Sequence, residues 1–454
     1  MSEKRRSARY EMDMTQGSLL AQVLLFSFPL MLSSILQLLF NAADVVVVGR
    51  FDGQEALAAV GSTGALTNLI VNLFLGLSVG ANVIIARYFA ARSYKDVSEA
   101  VHTSVAVSVF GGVILAVFGY IMSGTFLRWM DSPEDVLPLA TRYMQIIFLG
   151  MPFNMLYNFG AAVLRSIGDT RRPLMYLTIA GVVNVLLNLF FVIVFHMGVA
   201  GVALATILSQ GISSALVLIC LLRSEGAVRV DLRRLRIHPG KLWEIARIGV
   251  PAGLQGMCFS LSNVVIQSTV NSFGTAAVAG NSAAANIEGF VYVSMNALHQ
   301  AAVTFTSQNL GAQKFVRIRK AAIVCVGTVA AVGFGLGMLA LAGRFPLLGL
   351  YTTSDEVVEK ALIRMRIIMP TYFLCGVMDV LCGSLRGLGK TMMPMLVSVA
   401  GACAFRILWI MLILPMNRSM EMLYYSYPAS WALTALIHLI CLLRELRKVP
   451  KRDF

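Results

Sequence analysis

The hexapeptide "LICLLR" occurs at 218–223 and again, unchanged, at 439–444. An offset of 221 residues in a chain of 454 points to two halves rather than to a short repeat array. The same offset recurs elsewhere. "LRSIGDTRRP" (164–173) matches "LRGLGKTMMP" (385–394). "VVVVGRFDGQEALAAVG" (45–61) faces "IQSTVNSFGTAAVAGNS" (266–282), and, one residue further on, "FPL" at 28–30 faces "VPA" at 250–252.

Both halves are built from long apolar runs. The chain is 57% hydrophobic and 13% charged, with a mean hydropathy of +0.76. A soluble chain of this length needs far more charge on its surface. Runs of about twenty apolar residues are long enough to cross a hydrocarbon core of about 30 Å as helices. Twelve such spans are predicted, near 19–48, 56–85, 97–123, 137–163, 173–195, 198–222, 242–270, 276–306, 318–342, 359–384, 393–415 and 421–443. Six spans separate matched loops, so these loops share a side and the repeats are parallel. The expected fold is an all-α polytopic membrane protein with twelve transmembrane helices in two pseudo-symmetric six-helix lobes. The lobes are 19–222 and 242–443, joined by a basic linker, 223–241, and flanked by tails at 1–18 and 444–454.

The net charge of +14 does not indicate nucleic acid, because the basic residues sit in short loops without a basic helix or interleaved aromatics. Of the 37 Lys and Arg, 28 fall on the side of the amino terminus, 8 are assigned to the other side, and Arg406 alone to the interior of a span. The positive-inside rule then puts both termini in the cytoplasm of a cell-membrane protein. The basic start lacks a small-residue cleavage site, so the first helix is expected to be retained. All seven cysteines lie in apolar segments without a CxxC pair, which argues against disulfides and metal sites. The five histidines are scattered, and "GSLRGLGKT" (383–391) fails the phosphate-loop spacing because Ser384 replaces the first glycine. No hydrolase motif is present, so no enzyme activity and no cofactor are expected.

The informative residues are polar ones inside the spans. Ser33, Ser34, Gln37, Asn41 and Asp44 follow one another at helical spacings and share a face of the first span. A carboxylate such as Asp44 costs about 2.5–3.5 kcal/mol at the centre of an inserting helix, so it is read as functional. Asn158 on the fourth span, Asn184 and Asn188 four apart on the fifth, and Thr206 on the sixth are its candidate partners. The second half holds Gln255, Glu288, Asp379 and Arg406, and Arg406 is expected to pair with Asp379 or Glu288.

In their order, spacing and duplication these motifs resemble the multidrug and toxic compound extrusion family, the MATE transporters. The resemblance covers nearly the whole chain. It implies export of organic, often cationic, molecules driven by inward protons or sodium ions, in an alternating-access cycle. It also implies a polar cluster in the first lobe, to which Asp44, Asn158 and Asn184 correspond. Asn188 departs from the pattern, since many members carry aspartate there. Sodium-coupled members carry an acid on the seventh helix, absent here, and another on the tenth, displaced by a turn at Asp379. Both departures favour protons over sodium as the coupling ion. The expected partners are a small organic substrate and membrane lipid, with the chain a monomer. Two other readings compete: a lipid-linked sugar flippase of a related two-lobe family, and a membrane receptor or channel subunit.

Overall fold

A computed structural model describes residues 11–51, 54–129, 134, 136–450, 452 and 453. The expectations placed on residues 1–10, on Asp52 and Gly53 after the first span, and on Lys451 and Phe454 of the carboxyl tail lie outside the described residues. Among the described residues every regular element is helical. In the first half these are α1 (Leu19–Phe51), α2 (Gln54–Ala90), α3 (Tyr94–Trp129), α4 (Leu137–Leu149), α5 (Met151–Ser166), α6 (Arg171–Leu189) and α7 (Gly198–Arg223). In the second half they are α8 (Pro239–Asn271), α9 (Thr275–Gly311), α10 (Phe315–Ala342), α11 (Arg344–Gly349), α12 (Asp355–Thr371), α13 (Phe373–Gly387), α14 (Met392–Ser398), α15 (Phe405–Leu412) and α16 (Met420–Lys448).

Nine of the described helical stretches are long and apolar enough to cross a bilayer, and two bent pairs bring the number to eleven. The twelfth expected span is α9, 37 residues long but too polar to qualify by hydropathy. Its composition is tolerated because protein covers it: α10, α12 and α13 pack around it, and Ser294, Thr304, Ser307 and Asn309 are all buried. Such groups find partners within the protein, which lipid would not supply. Elsewhere the apolar residues face outward. Phe110, Ile114, Val117 and Ile121 form an exposed stripe along α3, and Val182, Leu186 and Ile193 another along α6 and its extension. Surfaces of this kind belong in hydrocarbon.

Two spans read as continuous are broken. The fourth bends by 46° between α4 and α5, and the tenth by 47° between α12 and α13. Gly150 and Pro152 stand at the first break, and Pro370 just before the second. Proline removes a backbone donor and crowds the preceding turn, so the helix axis changes direction there. The fifth and eleventh spans contain π-helical turns, Phe190–Val194 and Val399–Ala404. Each adjoins a buried polar side chain, Asn188 before the first and Arg406 after the second. Such turns often mark functional positions in helices.

Close contacts divide the chain into two compact units. One comprises Met1–Asp13 and Leu32–Gly253, the other Met14–Met31 and Leu254–Phe454. The divisions thus fall inside α1 and α8, each two residues beyond an internal proline, Pro29 or Pro251. Within the second unit Arg317 secures the approach to α1. Its guanidinium donates to the carbonyls of Met14, Gln16 and Gly17 at 2.7–2.8 Å and to Gln22 Oε1 at 2.9 Å.

The duplicated loop owes its glycine to backbone geometry. Gly168 and Gly389 occupy equivalent positions with φ of +88° and +81°. This left-handed region costs other L-residues about 1–2 kcal/mol. A second glycine device lies within the first unit, where "GLSVG" (76–80) on α2 crosses "GVPAG" (249–253) on α8. A Cβ on Gly76 would stand 2.3 Å from the Gly253 nitrogen, and one on Gly80 2.3 Å from the Ile245 carbonyl oxygen. Small residues four apart let helix backbones touch where no hydrophobic force separates them from lipid. Gly76→Ala is therefore expected to destabilise the purified protein by about 1–3 kcal/mol, the usual cost of overpacking. Gly211→Ala adds its methyl to open space and should leave the melting temperature unchanged.

Candidate functional site

In the first unit α1, α2, α5, α6 and α7 enclose a cavity of about 330 Å³. The three- and four-residue spacing along α1 turns Gln37, Asn41 and Asp44 toward it, and Asn158, Asn184 and Thr206 reach it from α5, α6 and α7. Gly181 supplies room on α6, since a Cβ there would collide with the Phe40 ring of α1. Sequence reasoning did not single out Asn154, Tyr157, Ser209, Gln210 or Ser213, which also line the cavity. The hint was available in the repeated four-residue spacing of Asn154 with Asn158 and of Ser209 with Ser213.

Asp44 is the one charged residue among those lining this cavity. Asn188 Nδ2 donates to its Oδ1 and, at 3.4 Å, to Asn184 Oδ1. Thr206 Oγ1 stands 3.5 Å from its Oδ2, but only 2.9 Å from the carbonyl oxygen of Val202, one turn earlier. A hydroxyl has a single proton, and the shorter bond is the stronger claim on it. Oδ2 is therefore weakly served. Asn188 Oδ1, buried beside it, has no hydrogen-bond partner. Acceptors outnumber donors around Asp44. Asn158 belongs to the cavity wall rather than to this cluster, as its amide donates to the Asn154 carbonyl at 2.9 Å and the Asn154 side chain at 3.1 Å.

The second unit arranges its charges differently from expectation. Glu288 on α9 pairs with Arg364 on α12, not with Arg406. Arg364 Nε donates to Glu288 Oε1 at 2.7 Å and Nη2 to Oε2 at 2.6 Å, while Nη1 donates to Asn281 Oδ1 at 2.8 Å. Tyr424 donates to the same Asn281 oxygen at 3.1 Å. Counting loop charges had assigned Arg364 to the far side of the membrane, whereas it is 7% exposed. Arg406 has neither Glu288 nor Asp379 within ion-pair distance. Its Nε donates to Ser430 at 2.8 Å, and its guanidinium lies 4.3 Å from the Tyr427 ring centre and 5.6 Å from that of Trp431. Stacking on aromatic faces is a role that a planar, weakly hydrated guanidinium fills well.

Asp379, on α13, is half-buried. Its main-chain oxygen accepts from His299 Nδ1 at 2.5 Å, and the nearby positive charge is that of Arg386. Arg386 in turn donates to Gln255 Oε1 at 2.8 Å. Gln255 and Asp379 are thereby brought into one neighbourhood, through Arg386. The two polar clusters differ in charge: one carboxylate in the first cavity, and two arginines at Tyr427, one of them paired with Glu288, in the second unit.

A bundle of helices with apolar outer faces, built twice and holding a polar cavity with one carboxylate, has the organisation of a membrane transporter. The profile of the MatE family matches residues 29–190 and 251–412, once in each half, and the chain belongs to that family. It is similar to the probable multidrug resistance protein YoeA of Bacillus subtilis, 28% identical over 422 residues, which are 91% of each chain. A second relative in that organism, the probable multidrug resistance protein YpnP, is 32% identical over 303 residues, 66% of this chain and 67% of its own. Among solved structures, a MOP superfamily transporter from Pyrococcus furiosus superposes with a TM-score of 0.90 at 20% identity, covering 97% of this chain and 98% of that one. The twelve-helix, two-lobe reading of the sequence and the fold of these transporters agree.

The bidentate pair in the second unit predicts an asymmetric mutational outcome. Arg364→Met leaves Glu288 as an uncompensated buried charge and should cost about 3–5 kcal/mol, read as a lowered melting temperature. Removing both charges in the Glu288→Gln, Arg364→Met variant should restore much of that loss. Equal destabilisation of single and double variants would show that packing, not charge pairing, holds this cluster.

Proposed function

We propose that the chain exports organic, often cationic, compounds in exchange for an inward-moving cation, with the proton favoured over sodium, by alternating access. The observation that carries this reading is the donor-poor surrounding of Asp44. Ionised, it faces the weakly held Thr206 hydroxyl and the unpartnered Asn188 carbonyl oxygen, and the cavity it lines contains no basic residue among the described ones. Such a site gains by taking up either a proton or an organic cation, but not both at once.

The cycle follows from that competition. With Asp44 ionised, a cationic substrate is drawn to the cavity. A positive charge about 4 Å from the carboxylate is worth about 4 kcal/mol at an effective dielectric of 20. Protonation removes that attraction and lets the carboxyl O–H donate to a neighbouring amide oxygen, so the substrate leaves. Deprotonation on the other side of the membrane restores binding. The ion-substrate coupling is thus assigned to the first lobe alone, since the repeat position of Asp44 at this offset is the uncharged Val265.

The lipid-linked sugar flippase reading needs a cationic cavity for a pyrophosphate, and the cavity beside Asp44 has the opposite sign. A plasma-membrane location with both termini in the cytoplasm rests on the distribution of Lys and Arg.

The deciding measurement is efflux of a fluorescent lipophilic cation from sealed vesicles under imposed pH and sodium gradients, varied one at a time. Asp44→Asn should abolish gradient-driven efflux and weaken binding of the cation by two to three decades, about the loss of the 4 kcal/mol attraction. Efflux that survives this change at the wild-type rate would remove Asp44 from the coupling step. Efflux that follows the sodium gradient alone would replace the proton.

A further inference from the structure

A second concave site in the first unit plays no part in this cycle. The stretch between α7 and α8 folds back onto the start of α3 and encloses a pocket of about 550 Å³. Four cations converge on it: Lys95 from α3, and Arg233, Arg234 and Arg236 from the linker. The only acid among its lining residues is Glu99. The floor is built, not incidental. His102, 5% exposed, bonds through Nδ1 to the Ser98 carbonyl oxygen at 2.7 Å and accepts the Asp231 backbone N–H on Nε2 at 3.0 Å. His238 accepts from Arg236 Nε on its Nε2 at 2.9 Å, and its backbone N–H donates to the Thr103 hydroxyl at 3.1 Å.

Membrane orientation accounts for basic residues on this face, but only for their side of the bilayer. It does not require three linker arginines and a helix lysine to gather around one cavity, with the linker bonded to two successive residues of α3. Two acids offset part of this charge, Glu99 in the lining and Asp231, whose carboxylate lies 3.6 Å from Arg234 Nε, and the four cations leave a positive excess that attracts a further anion. Neighbouring positions in the chain add a second chemistry. Leu232 and Ile237, which flank the arginines in sequence, are 56% and 37% exposed, and Tyr94 and Trp243 nearby in the chain are 59% and 70% exposed. Exposed aromatic and aliphatic side chains beside a basic cluster are the combination found at the level of lipid headgroups.

We propose that this pocket binds a phosphate-bearing anion, with the headgroup of an anionic phospholipid as its source and the acyl chains toward the exposed apolar side chains of these neighbouring segments. A lipid held there ties the inter-lobe linker to the membrane surface at the start of α3. The site is independent of Asp44 and of the direction of transport.

The test uses the full-length protein in nanodiscs of phosphatidylcholine with or without phosphatidylglycerol, read by native mass spectrometry and by melting temperature. Phosphatidylglycerol should remain bound to the wild type and raise its melting temperature. The R233Q/R234Q/R236Q variant should hold it roughly a hundredfold less tightly, given about 1 kcal/mol for each basic residue near an anionic surface. K95Q, on α3 rather than the linker, should shift binding in the same direction by about one of those three steps. R444Q/R447Q removes two exposed arginines from α16 and serves as the charge control. Melting in phosphatidylcholine alone checks that each variant is folded. If millimolar inorganic phosphate stabilises the wild type in phosphatidylcholine, and the triple variant is insensitive, the pocket stands with a soluble phosphate as its source. Unchanged lipid retention in the triple variant, or equal loss in the α16 control, overturns the proposal.

Discussion

A polar group at membrane depth has no water to turn to, and the arrangement of this protein follows from that constraint. Backbone groups are satisfied by forming helices, which is why every described regular element is one. Side chains need partners of their own. Asp44 finds Asn188 and, weakly, Thr206; Glu288 finds Arg364; Arg406 finds Ser430 and two aromatic faces. The degree of satisfaction separates these sites. Glu288 is gripped at both oxygens by a guanidinium, a bidentate geometry that satisfies its charge. Asp44 is left short of donors, and the proposed exchange of a proton for another cation rests on that difference.

The duplication supplies the scaffold and the departures from it supply the chemistry. Both halves keep the positive-φ glycine of the shared loop, the proline early in the first helix, and the bend in the fourth. These are backbone requirements, and a repeat cannot lose them without losing its path. The charged positions are not kept. Asn158 is answered by Asp379, and Asp44 by an uncharged residue. An anionic first cavity and an arginine-rich second core result, so the two units cannot play interchangeable roles toward a charged substrate. The basic pocket under the linker lies wholly within the first unit.

Much of this was legible in the chain because membranes impose long, regular signals. Span limits, the duplication and the shared face of Gln37, Asn41 and Asp44 depend on hydropathy and helical period alone. What escaped were features set by partners distant in sequence. Arg364 lies in a stretch that looks like the end of a loop, and nothing local reveals that Glu288, 76 residues away, would draw it inward. Arg406 was expected to seek a carboxylate, yet Tyr427 and Trp431 offered a desolvated aromatic surface instead.

The sequence by itself determined the class of fold, its internal repeat, its resemblance to a transporter family and the presence of an acid, Asp44, on the polar face of the first span, because each rests on motif order, periodicity or the cost of charge in hydrocarbon. Only the tertiary structure decided how well each polar group is satisfied. It left Asn188 Oδ1 without a donor, gave the Thr206 proton two claimants, and gathered Lys95 with three linker arginines around one cavity. The physical reason is that hydrogen bonds and ion pairs depend on distances of a few tenths of an ångström between helices, and no pattern along a single chain encodes those distances.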